Sequence, residues 1–304
     1  MINKGILSMS LATVLAGAVF VGCKGDGDKP EDKKDDLVET PDTIKTTQFN
    51  FSGELFSVPS PIQTALLIQK SGITYDKAIL LSSSNVNKYS TDYSRSLNLG
   101  IYGADLGYVS LYNQTQDALS YLGAVKQLAD KLGISAAFDA GTMERIQKNV
   151  TNKDSMMVLV GIAYRSSDAY LKNNQRSDVS SLVLAGGWIE SLYFSVNGYK
   201  SKPNEEIKRR IAEQKQTLNS LIKILGMNTA NAEVVDLTKQ LSDLAKIYEG
   251  VELKYTFVEP TTDTAKKVTY INSTSEVSIT TEQLTQISAK IIEIRNNITN
   301  ATKS

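Results

Sequence analysis

The chain of 304 residues contains no histidine and a single cysteine, Cys23. Missing histidine removes the commonest general base and the commonest transition-metal ligand together. With one cysteine left, a Ser-His-Asp triad, a Cys-His pair and a typical zinc or haem site all fall outside the available chemistry. Charge of one sign is lacking too: 33 lysines and arginines balance 33 aspartates and glutamates. No global field therefore draws the chain to nucleic acid. Carboxylates, lysines, tyrosines and hydroxyls remain, so a paired-carboxylate glycosidase or an oxygen-ligand calcium site stays chemically open. No cofactor and no resident metal is expected from this set.

The lone cysteine closes an N-terminal apolar run. Met1 to Lys4 supplies a cationic start, Ile6 to Val21 is almost wholly apolar and uncharged, and Gly22 precedes Cys23. A charged segment, an apolar segment and a small residue before the cut describe a secretory signal. The run is shorter than the ~20 apolar residues needed to cross a bilayer. With cysteine as the first residue after cleavage, it resembles a bacterial lipoprotein signal. That resemblance implies removal of residues 1–22, acylation of Cys23 and attachment to a membrane through the N-terminal lipid. Lys24 to Asp36 lacks apolar residues altogether, so residues 23–48 read as a tether that cannot offset the entropy of ordering. Lys24, Asp26 and Asp28 resemble the lysine-and-acid cluster that follows the cysteine in exported Bacteroidetes lipoproteins. An outer-membrane address, on the periplasmic or cell-surface face, is what this implies.

Residues 49–304 read as one mainly α domain, a helical bundle or stacked helical hairpins with one late β-hairpin. From Phe49 the pattern is taken as helical. Ser60-Pro61 opens a helix with a capping residue followed by proline at the first helical position, and Gly72 ends it. Further helices are expected over Tyr89–Asn113, Gln116–Leu132, Ser135–Asn149, Asp154–Asn173, Asp178–Val196, Asn204–Leu225, Asn231–Tyr248 and Thr281–Asn300. The fifth and sixth of these nine segments are apolar around much of their circumference, the mark of central helices. Alternating residues in Val251–Val258 and Lys267–Ile271 read as the two strands of a hairpin at about 251–272. No sharp repeat supports a solenoid.

Two constellations stand out. Gly100, Gly103 and Gly107 share the middle of one helix, at up to ~1 kcal/mol each against alanine. Either another backbone approaches closely there, or the helix breaks. As a ligand wall, the same helix would present Tyr102, Asp105, Tyr108 and Tyr112. The second constellation is Tyr164, Arg165 and Asp168 on one apolar helix, with Trp188, Glu190 and Tyr193 on the next. Arg165 and Asp168, three apart, can pair along a helix face, and buried charges are expected to be paired. Asp105 or Glu190 would join such a pair; an aromatic-walled ligand pocket is the other reading.

Asp42-Thr43-Ile44 and Asp263-Thr264-Ala265 resemble the short O-glycosylation signal of exported Bacteroidetes proteins, which implies modification at Thr43 and Thr264. Asp154-Ser155-Met156 has the same form, but Asp154 reads as a helix cap. The stretches NLGIYGADLGYVSLYNQTQDALSYL and LAGGWIESLY are similar to a family of Bacteroidetes outer-membrane lipoproteins, a resemblance that carries no activity with it. The expected function is a non-catalytic, lipid-anchored binding or scaffold module with a protein or glycan partner. The alternative is a carboxylate-dependent hydrolase of glycan or cell-wall material, which needs a cleft with two facing acids and aromatic walls.

Overall fold

The computed structural model describes residues 47–51, 54–58, 60–138 and 140–300. Cys23 and Thr43 lie outside them. The organising element is the helix over Ser177–Ser201, which we call α6 in the chain order α1 (Pro61–Lys70), α2 (Asp92–Leu111), α3 (Thr115–Lys131), α4 (Ala140–Asn149), α5 (Lys153–Asn173), α6, α7 (Glu205–Gly226), α8 (Ala232–Tyr248) and α9 (Thr281–Thr299). By length and hydropathy α6 could cross a membrane, but 94% of its apolar window is buried inside the protein. It is a core helix. It touches α1, α2, α5, α7 and α9, while α3 leans on α2, α8 on α7 and α9, and α4 on α5.

The α2–α6 crossing is set by glycine. A Cβ on Gly100 would stand 2.1 Å from the Val183 carbonyl oxygen, and one on Gly186 would stand 1.9 Å from that of Leu97. Neither is sterically tolerable, so the two backbones approach as only hydrogen side chains allow. The expectation of close helix packing therefore holds at Gly100, and α2 runs unbroken from Asp92 to Leu111. Gly103 faces the Tyr164 hydroxyl, and Gly107 meets Ile62 of α1 at 3.4 Å, an ordinary contact.

Helix starts are locally encoded. Thr91 and Thr280 form reciprocal capping boxes with Ser94 and Gln283, and Asn204 and Asn231 accept from the first free amides of α7 and α8. Such caps satisfy donors that the helix itself cannot. Three expected starts differ. Ser60 makes no side-chain cap bond, although Pro61 does open α1. Asn152, not Asp154, caps α5. The segment expected as one helix from Ser135 instead has a short 3-10 turn at Ser135–Ala137 before α4.

The β structure is richer than expected. Two strands, β1 (Thr47–Phe51) and β2 (Glu54–Val58), pair antiparallel with Phe49 opposite Phe56. The chain is therefore not helical from Phe49, and the span expected as tether overlaps a strand at Thr47 and Gln48. The late hairpin is a longer arm. Its root pairs β3 (Glu252–Thr256) with β6 (Thr274–Ser278), and its outer part pairs β4 (Thr261–Asp263) with β5 (Val268–Tyr270). The two alternating runs read from sequence thus do not pair with each other: β5 pairs with the nearer β4, and β3 with the more distant β6.

Identical substitutions at two glycines should move stability in opposite directions. Gly186→Ala forces the α2 and α6 backbones apart and should cost about 1–3 kcal/mol or more. Gly123, on α3 with nothing within 4 Å of a built Cβ, should gain about 0.5–1 kcal/mol as alanine. Urea unfolding of both variants is the measurement; equal effects would remove the close-approach account.

Candidate functional site

The sequence candidates divide into three places. On α2, Tyr102, Asp105 and Tyr108 are all fully buried. Tyr102 donates to the Ser82 carbonyl at 2.9 Å, Tyr112 to that of Ile73 at 2.7 Å, and Tyr121 of α3 to that of Leu81 at 2.9 Å. The Tyr108 hydroxyl accepts from the Asp76 amide at 3.2 Å. These phenols tie the connection between α1 and α2 to the core. None of them is free to bind a ligand. Burial raises the pKa of Tyr102 and Tyr121, and pushes Tyr89 up to about 12, so all three stay protonated donors.

Asp105 and Glu190 do come together, and the group that joins them was not a sequence candidate. Arg295 of α9 donates through Nε to Glu190 Oε2 at 2.6 Å and through Nη2 to Oε1 at 2.8 Å. It also reaches the Ile79 carbonyl at 3.2 Å and lies 4.1 Å from the centroid of the Tyr193 ring. A two-point guanidinium–carboxylate bond is the strongest pairing available to such groups. Here it is almost wholly withdrawn from water, with side-chain exposures of 8% and 0%. The clue in the sequence was an arginine standing inside the apolar stripe of Ile291, Ile294 and Ile298 on α9.

Asp105 supplies a second carboxyl to this centre. Among the described residues neither of its oxygens has a donor in good hydrogen-bond geometry, although the Glu190 carboxyl and the Leu81 backbone lie beside it. Burial first, and then the neighbouring Glu190 charge, push its pKa well above the usual carboxylate range, against the opposing pull of Arg295. Two carboxyls share a dry site when one keeps its proton. Asp105 is then the carboxyl that keeps its proton, beside the Glu190–Arg295 pair.

Arg165 and Asp168 belong elsewhere. Asp168 binds Lys172, one turn further along α5, at 2.6 Å, and accepts from Ser180 of α6. It does not join Asp105 and Glu190 as expected. Arg165 is half-buried on α5. Trp188 is buried with its indole N–H donating to Gln214 of α7 at 2.9 Å. Thr264 is exposed, between β4 and β5.

Several spaces are open to small molecules. One is an apolar cavity of about 50 Å³ bounded by Leu99, Gly103, Phe138, Met143, Val160 and Tyr164. No carboxylate lines it. A second is a groove of about 290 Å³ between α7 and the root of the β arm, lined by Glu213, Gln216, Lys254, Tyr255 and Glu276 among others. A third, of about 480 Å³, is a shallow surface groove lined by Lys126, Ser135, Phe138, Met143 and Glu144 among others. No group of three or more acidic, cysteine or histidine side chains poised for a metal occurs among the described residues.

The buried centre makes two measurable demands. Replacing Arg295 by leucine leaves Glu190 without its counter-charge, and breaking a buried pair in this way costs about 3–5 kcal/mol; denaturant unfolding reads it. Asp105 has the opposite signature. Its folded pKa lies above its unfolded one, so the native state binds more protons, and stability falls as pH rises from near 4 through the folded value. Asp105→Asn cannot ionise. It should flatten that decline and melt at or above the parent at pH 8; a steep decline persisting in the variant would place the titration elsewhere.

No family model, curated protein or solved structure matches the chain.

Proposed function

We propose that this chain is a lipid-anchored protein of the outer membrane, on its periplasmic or cell-surface face, acting as a non-catalytic binding or scaffold module. The observation that carries the non-catalytic part is the fate of the acids. Asp105 and Glu190, the two carboxyls that could have formed a hydrolytic pair, are fully buried, and Glu190 is committed to Arg295. A general acid must reach the proton it transfers, directly or through one water, and no substrate reaches these. The anchoring part rests on the leader that ends at Gly22-Cys23. The exposed position of Thr264 is compatible with its modification.

A second reading has one observation in its favour. The groove beside α7 combines the carboxylates of Glu213 and Glu276 with the exposed ring of Tyr255, a combination suited to holding a glycan. Glu213 faces Arg209 and Arg210, each at 3.7 Å, and is already partnered. Binding fits this groove better than bond cleavage does.

Cys23→Ala should abolish incorporation of a fatty-acid probe and release the protein from membranes, with the melting temperature of the folded part unchanged. A variant still labelled and membrane-bound would refute the anchor. Incubation of the purified protein with peptidoglycan fragments and soluble glycans should release no reducing ends. Release that disappears in Glu213→Gln would install the hydrolase in place of the scaffold.

A further inference from the structure

Beyond that reading, the β arm carries the densest exposed apolar surface among the described residues. Tyr255, Phe257, Val258, Val268, Tyr270 and Ile271 are all exposed, the last at 74%. Only the root of the arm is held: Leu253 and Val277 pack against the core, and Lys215 donates to the Glu249 and Val251 carbonyls at 3.0 and 2.8 Å. The outer ladder of β4 and β5 has two strands, and a two-stranded ribbon is marginal in water without further strands or a packed face. Each of its strands presents one unpaired row of backbone donors and acceptors.

The residues on each edge decide what can cover it. A twofold axis pairs a strand with its own copy, antiparallel about its middle residue. For β3 that sets Lys254 against Lys254, and for β6 Glu276 against Glu276. Like charges placed opposite each other are unfavourable. For β4 it sets Thr261 against Asp263, whose carboxylate is already held by Lys266. β5 differs. Pairing about Thr269 places Val268 opposite Tyr270, Thr269 opposite Thr269 and Tyr270 opposite Val268. Aromatic with β-branched and threonine with threonine are favoured cross-strand pairs. Val268 and Tyr270 share a face and are 41% and 46% exposed, so the pairing covers both.

We propose that β5 is a self-pairing edge, through which two copies of this chain join antiparallel about Thr269 into a four-stranded sheet. The contact is much smaller than the ~1,200 Å² at the lower end of stable interfaces, so the association is weak and reversible. An anionic bilayer suits the arm less well. Glu252, Glu259, Asp263 and Glu276 outnumber Lys254, Lys266 and Lys267 there.

The test uses the full chain with Cys23→Ala, which leaves no native thiol, and adds either Thr269→Cys or Thr262→Cys. Opposed residues on antiparallel strands have Cα atoms about 4.5–5.5 Å apart, within disulfide reach. Residue 262 lies one strand further out on each side, which puts the two copies about 14 Å apart at ~4.8 Å per strand, beyond reach. Under mild oxidation, Thr269→Cys should give a covalent dimer at least tenfold faster than Thr262→Cys. Adding Tyr270→Lys should abolish that advantage while leaving the melting temperature unchanged. Equal rates, no dimer from Thr269→Cys, or a dimer that survives Tyr270→Lys would each overturn the proposal. So would flotation of the Cys23→Ala chain on anionic vesicles that Tyr270→Lys eliminates, since the surface would then belong to a bilayer.

Discussion

The close approach of α2 and α6 governs this architecture, because almost everything else is packed around the pair. Gly100 against Val183 and Gly186 against Leu97 let two backbones meet with no side chain between them. A contact of that kind gains dispersion along both helices and brings their remaining side chains into register. Tyr102, Asp105 and Tyr108 on one helix, and Trp188 and Glu190 on the other, are buried as a consequence. The three glycines in α2 weaken it as an isolated helix. Their benefit appears only when α6 is in place.

The buried charges follow from the same geometry. Helices packed this closely leave little room for water, so a carboxylate at position 190 needs a partner from the protein. Arg295 meets that need from α9, helped by the Tyr193 ring and the Ile79 carbonyl. Buried ion pairs of this kind seldom add much net stability over apolar residues of the same shape. Their effect here is directional: Arg295 fixes which turn of α9 faces which turn of α6.

Much of the fold was legible because its signals are local. Capping threonines and asparagines, apolar stripes and terminal glycines place α2, α3 and α5 to α9 within a few residues of where they lie. The glycine cluster announced a close backbone contact without naming its partner. What stayed hidden depends on distance in the chain. Asp168, expected beside Asp105 or Glu190, instead binds Lys172 on its own helix and Ser180 on the next. Glu190 found an arginine 105 residues later. Periodicity reports which face of a helix is buried but is silent on which other helix buries it. In the β arm the alternation was readable, whereas pairing depended on the turn that joins β4 to β5 and leaves β3 to the more distant β6.

The separation between Glu190 and Arg295 also has a consequence in time. During synthesis at about 5–20 residues per second, the 105 residues between them take on the order of 5–20 seconds to emerge. Through that interval the acids on α2 and α6 have no guanidinium to meet, and burying them is unfavourable. The central crossing cannot close in its final form until α9 arrives. The chain's own electrostatics disfavour closing the core until the last helix is made.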